Sequence, residues 1–177
     1  LAIMDTRDPE LASLMRSDID CSHIEVLPSH QQDVPIARVM LPSGEQVLLH
    51  NLEDPIGSAV RSAEKYDMKA ENASILLGFG LGYLARELAK KVEKKHPIVI
   101  CDADPAIVKM ALTCVDLREV LDSDYIKILV GEQIPLQDWI SRLATKFMTA
   151  KVDVISYEPS VRLNPKVYGE LKVVSQK

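Results

Sequence analysis

A glycine-rich segment at residues 75–85 has the residue types and spacing best suited to ligand binding. The apolar run 75–77 leads directly into Gly78, Gly80 and Gly82, and a helical pattern follows. Glycines let backbone N–H groups come close to a ligand, and the N-terminus of a helix favours negative charge. We therefore predict a cofactor-binding loop between a strand and a helix. Its predicted contact residues are Gly78, Phe79, Gly80, Gly82 and Tyr83.

Acidic residues follow the next two predicted strands. Asp102 ends an apolar run about 20 residues after Gly82, where an acid can accept hydrogen bonds from the two hydroxyls of a ribose. Ala103 and Asp104 belong to the same turn, and Glu132 follows the third strand. These four residues complete the predicted binding site, and the expected ligand is a small molecule that contains a nucleoside.

The glycines can be aligned with two cofactor motifs. From Gly80, the run 80–85 is a G-x-G-x-x-A pattern, as in dinucleotide-binding domains. From Gly78, the run is G-x-G-x-G, which resembles motif I of class I S-adenosylmethionine-dependent methyltransferases. The second alignment fits better, because its first glycine directly follows the strand and every glycine is used. This resemblance implies S-adenosylmethionine as the cofactor, with Asp102 on the ribose and Glu132 on the adenine amine.

The catalytic half of that resemblance is weaker. Amino-methyltransferases of this superfamily have an Asn/Asp-Pro-Pro-aromatic loop after the fourth strand. Here the corresponding run, Tyr157-Glu158-Pro159-Ser160, keeps one proline. Glu158 is a candidate for accepting a proton or binding a polar substrate, but a glutamate at the end of a strand is more often a solvated carboxylate or the partner of an arginine such as Arg162. The sequence therefore assigns no catalytic residue.

Residues 37–175 also resemble the N-terminal domain of the motility accessory factor family, bacterial flagellin glycosyltransferases related to the domain-of-unknown-function 115 group. An aromatic residue inside the glycine loop is more typical of this family than of working methyltransferases. The resemblance rests on a short β-region before His50, Asp54-Pro55, Leu77-Gly78-Phe79-Gly80-Leu81-Gly82-Tyr83, Asp102-Ala103-Asp104-Pro105 and Ser160-Val161-Arg162-Leu163-Asn164-Pro165.

The family resemblance implies a cytoplasmic protein that transfers sialic-acid-like sugars from a CMP-sugar to Ser or Thr of flagellin. The transferase chemistry belongs to a central domain of that family, so this chain would be the accessory domain without catalytic residues. Two alternatives stay open at this point. One is a truncated class I methyltransferase, and the other is an NAD-binding oxidoreductase domain.

Apolar runs and helical patterns alternate from residue 74 onward. The predicted strands lie at 75–77, 97–101, 125–130 and 152–157, and a helical pattern follows each. Near-continuous apolar strands indicate a parallel sheet covered on both faces. We therefore predict an α/β, doubly wound, mainly parallel Rossmann-like fold, with a methyltransferase-like core.

The region before this core has a different pattern. Runs at 37–41 and 46–50 joined by a turn predict a β-hairpin, and Asp54-Pro55 opens a helix to about Tyr66. We expect an N-terminal extension over 1–52 and a Rossmann-like domain over 53–177. The last predicted helix lacks a glycine cap, and no strand follows it. We therefore expect a fragment of a longer protein, with further domains in the same polypeptide.

Composition excludes several classes of protein. The 177 residues carry a net charge of −5, which argues against a nucleic-acid binder, and the basic cluster Lys90, Lys91, Lys94 and Lys95 is expected to end a helix. The longest uncharged run is too short for a membrane span, and no secretory signal is evident. We therefore expect a cytoplasmic protein without membrane or nucleic-acid partners, and leave homo-oligomerisation open.

Three cysteines without a CxxC pair and four scattered histidines predict no disulfide and no metal site.

Overall fold

The computed structural model of the chain describes residues 2–69, 72–92, 96–131, 134–146 and 151–175. Strands and helices alternate through most of these ranges. The strands are β1 (Ile24–Pro28), β2 (Pro35–Met40), β3 (Gln46–Leu48), β4 (Ala73–Leu77), β5 (Ile98–Asp102), β6 (Ile126–Val130) and β7 (Val152–Ser156). The helices are α1 (Ala2–Arg7), α2 (Pro9–Arg16), α3 (Pro55–Ala63), α4 (Tyr83–Lys91), α5 (Pro105–Cys114), α6 (Arg118–Leu121), α7 (Leu136–Lys146), α8 (Glu158–Leu163) and α9 (Pro165–Ser175).

The larger sheet consists of four parallel strands in the order β6-β5-β4-β7. The chain therefore starts in the middle of this sheet, adds β5 and β6 on one side, and returns to add β7 on the other. Leu77 at the end of β4 pairs with Cys101 and Ser156, so the carboxyl ends of the strands meet at one edge. This arrangement confirms the predicted doubly wound, Rossmann-like α/β fold.

Helices cover both faces of the parallel sheet. All five residues of β4 and all five of β5 are buried, and their sequences are apolar or small apart from Asp102 at the end of β5. Leu76 on one face packs in a cluster with Leu88 of α4. Ile75 on the other face packs in a separate cluster with Leu136 of α7 and Leu171 of α9. Each face is thus closed by its own set of helices.

The N-terminal sheet is larger than the predicted hairpin. β2 and β3 correspond to the two predicted runs, but β1 adds a third antiparallel strand, from Ile24 opposite Val39 to Pro28 opposite Pro35. The sequence pattern does not predict β1, because this strand ends in a proline and its burial alternates only weakly. Leu49 N–H still donates to the Ala37 carbonyl beyond β3, and the chain then turns toward the parallel sheet.

The segment directly after β7 forms the helix α8, at the position where amino-methyltransferases have a loop. Glu158 and Pro159 occupy the first turn of α8, a position that suits both a proline and a carboxylate. Glu158 is exposed, in agreement with the solvated carboxylate that the sequence left as one alternative. The consequence for the site is that α8 carries Ser160 inward, where it is buried.

Lys90 and Lys91 lie in the last turn of α4, which confirms the prediction that the basic cluster ends a helix. Lys91 Nζ donates to the carbonyls of Ala63 and Tyr66, so it caps the C-terminal end of α3. That helix ends at Ala63, a few residues earlier than expected. Lys90 pairs with Glu87 within its own helix, and Lys94 and Lys95 lie outside the described residues.

In the part of the chain that the structure describes, no helix combines the length and apolar character needed to cross a membrane. All three cysteines are free, as predicted, and Cys101 is a fully buried member of the core.

Candidate functional site

The glycine loop between β4 and α4 is packed against the chain's own side chains. Gly78 has φ +95°, and a Cβ atom placed on it would lie 2.4 Å from Ser160 Cβ. Gly80 has φ +55°, and its Cβ would lie 2.8 Å from Tyr157 Cε1 and 3.0 Å from His50 Nε2. These two positions need glycine both for the backbone conformation and for the close approach of α8 and Tyr157.

The N–H groups of this loop are largely taken up by internal hydrogen bonds. Gly78 N–H donates to the Cys101 carbonyl at 2.8 Å, and Gly82 N–H donates to the Phe79 carbonyl at 3.0 Å. Phe79 N–H donates to Asp102 Oδ2 at 2.7 Å. The loop therefore does not present these N–H groups to a ligand.

His50 holds the loop against the N-terminal sheet. Leu81 N–H donates to its Nε2 at 3.0 Å, and Ala37 N–H faces its Nδ1 at 3.4 Å. The ring also makes an edge contact with Tyr83, with centroids 5.2 Å apart. Burial lowers the pKa of His50 to about 3, and an imidazolium would direct its own N–H groups at these backbone donors. His50 is therefore neutral in the folded protein.

Asp102 is buried at the carboxyl end of β5, with 1% of its surface exposed. Phe79 N–H reaches Oδ2, and Asp104 N–H donates to Oδ1 at 2.9 Å. The Tyr168 hydroxyl also bonds to this carboxylate, and it accepts from Ala103 N–H at 3.2 Å. Burial raises the pKa of Asp102 to about 7, although the two backbone bonds oppose that shift. A carboxylate has about four acceptor positions, so about one of them is left for a ligand.

A cleft of about 500 Å³ lies beside Asp102, at the carboxyl ends of β5 and β6. We call it the carboxyl-edge cleft. The N-terminal sheet forms one wall and α8 with the start of α9 forms another. Its apolar lining includes Val39, Met40, Leu41, Ile107 and Leu163. Its polar lining includes His23, Asp102, Asp104, Ser160, Asn164 and Tyr168. Open α/β sheets bind their ligands at this edge, and the volume is in the range of small-molecule sites.

Ser160 gives this cleft an unsatisfied polar group. Its side chain is 1% exposed, lines the cleft, and its Oγ has no hydrogen-bond partner within the described chain. Leaving a buried hydroxyl unpaired costs free energy, on the order of 1–3 kcal/mol. A ligand in the cleft that offers a donor or an acceptor to Ser160 recovers that cost.

His23 and Asp104 form a hydrogen-bonded pair among the residues that line the cleft. His23 Nε2 lies 2.7 Å from Asp104 Oδ2, and both side chains are about one-third exposed. Asp104 Oδ1 also accepts from Ala106 N–H at 2.9 Å, which caps the N-terminus of α5. The pair therefore joins the turn before β1 to the turn after β5, across one side of the cleft.

Another cavity, of about 550 Å³, lies at the β6 side of the sheet, between α2 and α7. It opens near the amino ends of β5 and β6 rather than at the carboxyl edge. Lys127 and Asp8 line it and form an ion pair of 2.5 Å. Since these two charges already neutralise each other, this ion pair leaves a ligand fewer unpaired polar groups than Asp102 and Ser160 do in the carboxyl-edge cleft.

A Ser–His pair that the sequence spacing did not reveal is also present. Ser74 Oγ lies 3.0 Å from His96 Nε2, and His96 Nδ1 lies 2.5 Å from the Lys69 carbonyl. Both side chains are fully buried at the start of β4 and β5. A nucleophile there would be inaccessible to a substrate, so the pair stabilises the fold.

The structure divides the predicted site residues into two groups. Asp102, Ala103 and Asp104 line the carboxyl-edge cleft. The five predicted residues of the glycine loop are buried, and none of them is among the described residues that line the cleft. They are Gly78, Phe79, Gly80, Gly82 and Tyr83. Glu132 lies outside the described residues, and Gly131 before it lines the cleft.

Sequence reasoning missed His23, His50, Tyr157, Ser160 and Tyr168 as parts of this region. A lone histidine or tyrosine at the end of a strand carries no spacing signal, because its partners come from distant segments. Ser160 was visible only as a residue of the run after β7. A serine on the inner side of a short helix after the fourth strand is the signal that could have identified it.

The sequence matches no protein-family model, and the comparison with curated proteins gives no significant match. Among the described residues, no group of three or more His, Cys, Asp or Glu side chains is arranged to hold a metal ion.

Proposed function

We propose that this chain is a Rossmann-like domain that binds a small, nucleoside-containing ligand in the carboxyl-edge cleft. The observation that carries the proposal is the meeting of Asp102 and the unpartnered Ser160 in one cleft at the carboxyl edge of the parallel sheet. An acid at the end of the second strand of such a sheet suits ribose hydroxyls. The apolar walls suit a planar base.

In its cellular setting, we propose a cytoplasmic accessory domain of a flagellin-glycosyltransferase-like protein, of the motility accessory factor kind. The aromatic glycine loop and the run 160–165 support this proposal. In this reading the transfer reaction belongs to another domain of the same polypeptide. The domain would then contribute ligand binding rather than catalysis.

A class I S-adenosylmethionine-dependent methyltransferase is the second candidate. Asp102 favours it, because this residue lines the cleft at the end of the second parallel strand, where the methyltransferase resemblance implies contact with the ribose. In that case Asp102 and the turn to Asp104 would hold S-adenosylmethionine.

Calorimetric titration tests the proposal. The purified chain is titrated with S-adenosylmethionine, S-adenosylhomocysteine, NAD and CMP, and we expect micromolar binding of at least one. Asp102→Asn should weaken that binding about tenfold or more, since a hydrogen bond to a charged group contributes about 1.5–3 kcal/mol. Asp67→Asn is the matched control, because Asp67 is exposed and pairs with Lys69 away from the cleft.

The outcomes separate the candidates. Tightest binding of S-adenosylhomocysteine supports the methyltransferase, and a preference for the cytosine base, as CMP or as cytidine, supports the glycosyltransferase-associated domain. An absence of heat with all four ligands, or binding that Asp102→Asn leaves unchanged, would contradict the assigned site.

A further inference from the structure

We propose that the carboxyl-edge cleft selects a nucleoside that carries no phosphate group next to the sugar. This inference rests on the proposed function, since it names the class of ligand for the same cleft. It follows from the hydrogen bonds of the glycine loop, from the cover over the N-terminus of α4, and from the charges that line the cleft.

Glycine loops of doubly wound domains bind phosphates through free backbone N–H groups. In this protein the N–H groups of residues 78, 79, 81 and 82 have internal acceptors. Two of those acceptors are the side chains of Asp102 and His50. A phosphate at the loop would have to displace a buried carboxylate and a buried imidazole, and would then lie against the displaced negative charge.

The N-terminus of α4 is also closed to an anion. A Cβ on Gly82, the residue before this helix, would lie 2.7 Å from Leu117 Cδ2 and 3.1 Å from a ring carbon of Phe79. Tyr83 and Leu84 in the first turn are 3% and 6% exposed. Apolar side chains therefore cover the end of the helix at which phosphates bind in related folds.

The cleft itself is unfavourable for an anion. Among its described lining residues there is no lysine and no arginine, whereas Asp102 and Asp104 contribute two carboxyl groups. The only cationic candidate in that lining is His23, and Asp104 already pairs with it. A phosphate attached to a sugar near Asp102 would face like charge without a counterion, which disfavours binding.

A neutral or cationic nucleoside meets none of these obstacles. Ser160 Oγ can donate to or accept from an uncharged polar group, and the remaining acceptor position on Asp102 suits a sugar hydroxyl. Asn164 lines the cleft beside Ser160 and offers a further neutral polar group. The binding groups available here are therefore those that recognise hydroxyls and amides.

Matched pairs of ligands test this inference. The wild-type chain is titrated at pH 8 with adenosine and AMP, and with cytidine and CMP. We expect the better-bound nucleoside to bind about tenfold or more tightly than its own monophosphate, because like charges in the cleft cost free energy. Equal or tighter binding of the monophosphate would overturn the inference and leave the proposed function intact. If no member of either pair binds and S-adenosylhomocysteine does not bind either, the proposed function itself fails.

Substitutions in the cleft test which residues bind the nucleoside and which disfavour its phosphate. Ser160→Ala should weaken nucleoside binding about fivefold to tenfold, consistent with one hydrogen bond, while the urea midpoint stays at the wild-type value or rises. Ser13→Ala is the control, since Ser13 is an exposed residue of α2. Met40 is half-exposed and lines the cleft, so Met40→Lys adds a cation to its wall. This variant should reduce the ratio of the affinity for the nucleoside to the affinity for its monophosphate. If Met40→Lys and the wild type show the same ratio of affinities, the lack of cations in the cleft does not explain the discrimination against phosphate.

Discussion

Replacing His50 by Gln should change the pH dependence of the free energy of unfolding between pH 6.5 and pH 4.5. His50 is buried between the glycine loop and the N-terminal sheet, and its pKa in the folded protein is lowered from 6.5 to about 3. As pH falls below 6.5 the unfolded chain takes up a proton at this residue, whereas the folded chain does not until about pH 3. His50 therefore destabilises the folded state as pH falls through this interval.

The size of the effect follows from the two pKa values. A difference of one pKa unit corresponds to about 1.4 kcal/mol, so the two-unit interval costs the wild type roughly 2 kcal/mol at His50. Gln does not titrate, and its side-chain oxygen can still accept from Leu81 N–H. Between pH 6.5 and pH 4.5 the free energy of unfolding should therefore fall less in His50→Gln than in the wild type. We expect the difference between the two decreases to be roughly 2 kcal/mol.

Asp102 produces the opposite dependence. Burial raises its folded-state pKa from 3.8 to about 7, so the folded chain takes up a proton there before the unfolded chain does. This group favours the folded state as pH falls from about 7 to about 4, by roughly 2 kcal/mol over the same interval. The contributions of His50 and Asp102 therefore nearly cancel in the wild type, and Asp102→Asn should make the protein more acid-sensitive.

Urea unfolding at pH 4.5, 5.5 and 6.5, followed by far-ultraviolet circular dichroism, measures these differences. His30→Gln is the control, because the His30 side chain is 60% exposed and pairs with Glu53 at the surface. If His50→Gln and the wild type show parallel pH dependence, His50 is not a buried neutral group. The packing of the loop described above would then be wrong.

Two further substitutions test the packing of the loop. Gly78→Ala should lower the free energy of unfolding by roughly 2–4 kcal/mol, because its Cβ meets Ser160 and its φ is positive. Gly44 is the control, because its φ is also positive (+85°) but no atom lies within 4 Å of an added Cβ. Gly44→Ala should lower the free energy of unfolding by only about 1 kcal/mol. Equal losses in the two variants would refute the close approach of Ser160 to Gly78. Tyr157→Phe removes the hydroxyl that donates to the Leu49 carbonyl and should cost about 1–2 kcal/mol in urea unfolding, whereas an unchanged midpoint would argue against that bond.

The parallel sheet could be predicted from the sequence because its signals are local. β4 and β5 are buried on both faces, so their positions are apolar or small apart from Asp102 at the end of β5. Glycines or Asp-Pro mark where the following helices begin. β1 and α8 could not be predicted in the same way. The strand β1 is half-exposed and ends in a proline, and the helix α8 begins with a glutamate and a proline that also suit a loop.

The candidate site could be predicted only in part, because its composition depends on distant contacts. The sequence indicates where Asp102 lies, but not that Phe79 N–H, Asp104 N–H and Tyr168 occupy most of its acceptor positions. The glycines predict a close backbone approach, and the approaching groups are Tyr157 and the helix that carries Ser160. Whether a glycine loop faces a ligand or its own chain depends on residues about 80 positions away, which local spacing does not report.

A crystal structure of the chain grown with adenosine tests the central claim most directly. We predict density for the nucleoside in the carboxyl-edge cleft, with a sugar hydroxyl on Asp102 and a polar group of the ligand on Ser160 Oγ. The glycine loop should keep its hydrogen bonds to Asp102 and His50. Density at the β6 side of the sheet, or direct binding to the amides of residues 78–82, would contradict this account.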